Sequence, residues 1–241
     1  MDCRFMPDLA LTRRIVYATD GMDAIRADEN IVYRTDDRAE LLMDVYHPAT
    51  SSHGAPAAVV FVHGGPISPE PPAPKDWGVF VSYGQLAASS GLVGVTFNHR
   101  LYAPTDYPRS ETDLSAAVDF LRAHADELRL DPRRIGLWVF SGGGPLVSWA
   151  LRERPSYVRC VVAFYALLDL RHLTPSDAIA AHDDGHQATI AVHNRGPGLS
   201  VYRVPNSKMW PTSSAGKLSS APSHAGQPSP EQTARRSTTH A

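Results

Sequence analysis

Lysine is nearly missing from this chain: it supplies only 3 of the 23 Lys and Arg residues, and neither basic type clusters on any expected helix. With a formal net charge of -2 and no basic stripe, the electrostatic footprint of a nucleic-acid binder is absent. Cysteine is as scarce. Cys3 and Cys160 lie far apart and fit neither a disulfide framework nor a metal-ligand set, so both are expected to be reduced thiols. No run approaches the ~20 apolar residues of a membrane-spanning helix. Asp2, Arg4, Asp8, Arg13 and Arg14 also break the basic, apolar, small-residue order of a secretory leader. A soluble cytoplasmic protein is the expectation, and 241 residues suit one α/β domain.

What is present is unevenly spread. Of the 46 residues from Gly196 to Ala241, 23 are Gly, Pro, Ser or Thr, a composition that buries too little apolar surface to offset its ordering entropy. The sequence therefore divides into a core over residues 1–170 and a divergent stretch over 171–241 expected to be disordered. In the core, Ile31–Arg34 and Leu41–His47 flank the polar turn Thr35-Asp36-Asp37-Arg38, which predicts an antiparallel hairpin. Four near-continuous apolar runs follow, at Ala57–Val62, Val93–Phe97, Ile135–Phe140 and Cys160–Tyr165, as expected of parallel strands buried on both faces.

Helical segments separate these runs at Val79–Ser89, Ser110–Leu128 and Pro145–Arg154. The middle one places Leu114, Ala117, Val118, Leu121, Ala125 and Leu128 on one face, and Ser110 with Asp113 suggests a capping box at its start. The predicted fold is an α/β, doubly wound, mostly parallel sheet made of a hairpin followed by βαβαβαβ. Ligands of such a sheet gather at the carboxyl ends of its strands.

Two of those ends carry chemistry. The run Ile135–Phe140 passes through Ser141-Gly142-Gly143-Gly144 into a helix, a turn that lifts the Ser141 hydroxyl above the sheet as a candidate nucleophile. The Gly142 amide, near a helix N-terminus, is placed to stabilise developing negative charge. After the first parallel strand come His63-Gly64-Gly65-Pro66, where the bare amides of Gly64 and Gly65 can complete an oxyanion hole. Either glycine turn alone is as readily a plain tight turn or an anion nest. Their joint occurrence on consecutive βα units favours hydrolysis.

On these residues, over positions 1 to about 170, the chain resembles α/β-hydrolase fold proteins of the esterase and lipase type. The resemblance rests on His63-Gly64-Gly65, on Val139-Phe140-Ser141-Gly142-Gly143 as the x-x-S-x-G elbow, and on Asp131-Pro132-Arg133-Arg134-Ile135 leading into it. It departs at Val139, where the family motif has its first glycine. The resemblance implies hydrolysis of a small-molecule carboxylic ester through an acyl-enzyme, with no metal and no organic cofactor. It leaves the oligomeric state open.

The family mechanism also needs a histidine base and an acid that follow the serine, on a seventh and an eighth strand. The sequence shows neither strand. Asp169, just past Cys160–Tyr165, is an alternative acid, although an Asp at a strand end is commonly a turn former. His186 and His193 are the nearest candidate bases, and His63 and His99 precede the serine at the rim of the site, the former structural in the family. Arg-rich, Lys-poor usage suggests a GC-rich gene, and residues from about 175 onward read like an out-of-frame product, which implies a truncated or frameshifted last third. Cys160–Tyr165 would then be an exposed sheet edge.

Two functional readings remain: a serine hydrolase, or a non-catalytic relative that keeps the cleft as a binding module or remnant. A nucleotide site at Gly142-Gly143-Gly144 is disfavoured, because the P-loop Lys and the G-x-G-x-x-G spacing are both absent. Trp77, Phe80 and Tyr83 are candidates for an acyl pocket, with packing in the core as the more ordinary expectation.

Overall fold

The computed structural model describes residues 7–36, 39–49, 54–167, 189–195 and 198–204. Contacts divide the chain between Ser207 and Lys208, and everything described belongs to the first unit. The elements are α1 (Pro7–Thr12), β1 (Ala27–Asp36), β2 (Ala39–Tyr46), β3 (Ala58–Val62), α2 (Gly78–Ser89), β4 (Val93–Phe97), α3 (Tyr107–Ala123), β5 (Ile135–Phe140), α4 (Ser148–Glu153), β6 (Val158–Phe164), β7 (Thr189–Arg195) and β8 (Gly198–Val204). Short 3-10 turns lie between several of them.

The strands form one mixed sheet in the order β1-β2-β4-β3-β5-β6-β7-β8. Its centre is parallel, with β3 between β4 and β5 and β6 beyond β5. The hairpin β1–β2 joins it antiparallel through β2 and β4. Because successive side chains of a strand point to opposite faces, the continuous apolar runs feed two separate cores. Val60, Val62, Leu137 and Val139 meet Leu114, Ala117, Val118 and Leu121 of α3 on one face. Phe61 and Phe140 meet Phe80 and Ala87 of α2 on the other. Each leucine fully buried from α3 is worth about 2 kcal/mol of transfer free energy.

Two helices differ from expectation. α3 begins at Tyr107, so Ser110 and Asp113 are interior residues, fully buried, and not a capping pair. Asp106 stands at the N-cap instead, and its carboxylate turns back to accept the Tyr102 and Ala103 amides ahead of the helix. Asp113 is engaged with Arg100, which donates to it from its backbone amide, Nε and Nη2, while Arg34 Nη1 adds a fourth donor. The segment expected as a helix over Pro145–Arg154 begins as a 3-10 turn over Ser141–Val147 and becomes α-helical only at Ser148. Three glycines followed by a proline favour the tighter turn over a regular α-helical start.

The largest difference lies past β6. The expectation that Cys160–Tyr165 forms a sheet edge is corrected: β7 pairs antiparallel along it from Cys160↔His193 to Phe164↔Thr189, and β8 pairs antiparallel with β7. The sequence reading missed both strands because Gly, Pro, Ser and Thr dominate the averaged composition there. The local signal was present as Ile190, Val192 and then Leu199, Val201, separated by Gly196-Pro197-Gly198. These strands form a hairpin, and no parallel strand follows β6 among the described residues.

Candidate active site

The site forms where β3 and β5 end side by side, since Val62 and Val139 are paired in parallel register. Beyond Val62 the chain turns through His63-Gly64-Gly65, and beyond Phe140 it turns through Ser141-Gly142. Ser141 has φ +47°, in the left-handed region that a residue with a side chain rarely occupies. Strain of this kind is what a sharp turn needs to hold a hydroxyl above the strand end. The turn is fastened on two sides. The Ser141 carbonyl accepts the Leu167 amide at 2.8 Å, and the Gly142 carbonyl accepts the Tyr107 hydroxyl at 3.0 Å. Nothing in the sequence pointed to Tyr107.

The two glycine turns press against each other. A methyl group at Gly64 would stand 2.8 Å from Ser141 Cβ and 3.3 Å from the Gly142 nitrogen, and one at Gly142 would run into the Gly65 carbonyl oxygen. Only bare glycines allow this approach. Among the described residues no acceptor takes the Gly64 or Gly65 amide. Ser141, Gly64 and Gly65 line one cavity of about 320 Å³, together with Trp77, Phe80, Tyr83, Phe140 and Tyr165. Trp77, Phe80 and Tyr83 therefore do more than pack in the core: they are the aromatic wall of the pocket, backed by Phe61 and Phe140. Burial raises the phenol pKa of Tyr83, and the Tyr165 phenol raises it further. Tyr165 is itself held at φ +41°.

Val139, at the motif's first-glycine position, is fully buried. It fits because Gly143 is bare: a Cβ there would lie 3.1 Å from Val139 Cγ2.

His63 and His99 are 1 % exposed and stacked, 3.5 Å between ring centroids. Burial pushes both pKa values down, that of His99 to about 4 and that of His63 well below its usual range with further help from the His99 ring, so both are neutral near pH 7. His63 Nδ1 donates to the Gly64 carbonyl at 2.7 Å, and its Nε2 accepts the His99 amide at 3.4 Å. With both ring nitrogens engaged, His63 is not free to act as the base. Asp169 and His186 lie outside the described residues. Of His193 only the backbone is described, opposite Cys160 in β7. Among the described residues no group of three or more His, Cys, Asp or Glu is placed to hold a metal ion, and no helix is long and apolar enough to cross a membrane.

A sequence profile of the BD-FAE family matches residues 43–194, more than half of the chain. Among solved structures, a bacterial heroin esterase is similar over 65% of this chain and 49% of its own, at 26% identity and a TM-score of 0.52. Esterase 2 of Thermogutta terrifontis, a thermophilic planctomycete enzyme, is similar over 54% of this chain and 44% of its own, at 25% identity and a TM-score of 0.43. The same enzyme phosphorylated by paraoxon is similar over 54% of this chain and 48% of its own, at 25% identity and a TM-score of 0.43. The chain thus spans about half the length of the solved structures it resembles. No curated protein sequence matches it.

Proposed function

The chain belongs to the BD-FAE family of esterase-type α/β-hydrolases, and from that premise we propose that it is a serine hydrolase of small-molecule carboxylic esters with Ser141 as its nucleophile. The observation that carries this reading is the strained Ser141 set against Gly64 at the mouth of an aromatic cavity. Ser141 Oγ attacks the ester carbonyl, and the amides of Gly142 and of Gly64 or Gly65 receive the oxyanion. The departing alkoxide takes up the proton that Ser141 gives up and leaves as the alcohol; water then cleaves the acyl–serine bond, returning a proton to Ser141 Oγ and releasing the acid. Fixed amide donors of this kind are each worth roughly 10²–10³ in rate. The acyl group lies against Trp77, Phe80 and Tyr83. No step calls for a metal or an organic cofactor.

A specific observation favours a second reading, in which the cleft binds esters without turning them over: His63 has both ring nitrogens engaged, and His99 is buried with its Nε2 bound to the His63 carbonyl. Labelling by an alkyl fluorophosphonate separates the two. Fast labelling at Ser141, abolished in Ser141→Ala, is expected of a hydrolase. Folded protein that stays unlabelled over hours overturns the nucleophile assignment and leaves a binding protein.

A further inference from the structure

The stacked pair His63 and His99 takes no part in the cleavage of the ester, yet its hydrogen bonds end on the loop His63-Gly64-Gly65. His63 Nδ1 faces a carbonyl oxygen that can only accept, so Nδ1 carries the proton and Nε2 presents its lone pair to the His99 amide. His99 Nε2 faces the His63 carbonyl at 3.0 Å and so donates to it. That leaves His99 Nδ1 as a buried lone pair with no partner among the described residues. A buried acceptor without a donor weakens a fold, so packing alone does not account for an imidazole here.

Peptide planarity supplies the connection. In a trans peptide the C=O and the following N–H point in opposite directions. The peptides joining His63 to Gly64 and Gly64 to Gly65 are trans. Holding the His63 oxygen therefore turns the Gly64 N–H away from the ring pair, and holding the Gly64 oxygen does the same to the Gly65 N–H. Gly64 and Gly65 line the cavity beside Ser141, and neither amide has an acceptor among the described residues.

We propose that His99, reaching across from the end of β4, is a positioning residue: its Nε2–H fixes the His63 carbonyl and thereby aims the oxyanion amide of Gly64. The inference rests on the assignment of Ser141 as the nucleophile and deepens it. It also explains why this donor stays in place through a reaction that offers it nothing in the resting state. Its partner on the other side of the peptide does the holding.

The test uses the full chain and an alkyl fluorophosphonate, which forms a bond from Ser141 Oγ to phosphorus, expels fluoride and releases the serine proton to solvent. His99→Phe keeps a ring to stack on His63 and removes the donor, whereas His99→Gln keeps a donor that reaches the His63 oxygen. His99→Phe is expected to lower the limiting labelling rate by about 30-fold with an unchanged half-saturating concentration, as displaced donors do. His99→Gln is expected to recover to within about threefold of the parent, because the donor is restored. Equal limiting rates for the two variants, or a change confined to the half-saturating concentration, overturn the proposal. If His99→Phe does not fold, His99→Asn replaces it, since its shorter amide stops short of the His63 oxygen.

Should the parent protein itself resist labelling, the nucleophile reading fails, and the backbone amide signal of Gly64 in nuclear magnetic resonance decides the positioning claim. It is expected to shift and exchange faster in His99→Phe and to return in His99→Gln. A signal that does not move refutes the claim.

Discussion

At the scale of single residues, the site depends on atoms that are not there. A methyl at Gly142 cannot share space with the Gly65 carbonyl, so Gly142→Ala must push the two turns apart and shift the donors from the serine. Labelling of Ser141 in Gly142→Ala should slow by about 100-fold, the penalty for misplacing a reacting group by roughly 1 Å. A rate within a factor of three of the parent would mean that the turns are not in contact. The histidine pair yields a second expectation. Unfolded histidines take up a proton near pH 6.5, whereas folded His99 resists until about 4 and folded His63 is likewise held down by burial. Between those values the unfolded chain binds more protons, so stability should fall as the pH drops from 6.5 toward 4. The loss is up to about 1.4 kcal/mol per pH unit for each ring. Urea midpoints at pH 7 and pH 5 measure it, and a midpoint that rises on acidification would contradict the burial of the pair.

At the scale of elements, the turn after β4 and the helix α3 are bound by one carboxylate. Asp113 is fully buried and accepts four hydrogen bonds from Arg100 and Arg34, and Arg100 Nη1 also donates to Asp36. Asp113→Asn removes the charge and leaves the buried Arg100 underpaired, which should cost about 3–5 kcal/mol of folding free energy. Urea unfolding checks this, and a change below about 1 kcal/mol would show that the pair is replaceable. Tyr107, the first residue of the same helix, carries the hydroxyl that braces Gly142, so loosening α3 should also slow the labelling of Ser141. The parallel strands and the glycine turns were open to reading from the sequence, because runs buried on both faces and bare strand ends leave strong local patterns. The ties among Asp113, Arg100, Tyr107 and His99 left none. Each joins residues distant in the chain, and no local spacing encodes which polar groups meet once the sheet is assembled.

At the scale of the whole molecule, the antiparallel hairpin β7–β8 changes what the sheet exposes. With β7 along it, β6 has both neighbours, and among the described residues the sheet ends at β1 and β8. A chain ending at residue 188 would uncover the backbone groups of β6 and should associate into larger species at concentrations where the full chain does not. Size-exclusion chromatography of the two forms compares them directly, and a monomeric shortened chain would show that β6 needs no cover. The averaged composition of the C-terminal stretch hid this hairpin while disclosing the core, since short alternations vanish in a window dominated by small polar residues. The aromatic wall has an outcome of its own. All three indoles described pack against other side chains, and of these Trp77 alone also borders the open space beside Ser141. Whatever enters that space changes the dielectric around one indole, so the protein's own ultraviolet emission is a built-in gauge of occupancy that needs no dye and no turnover.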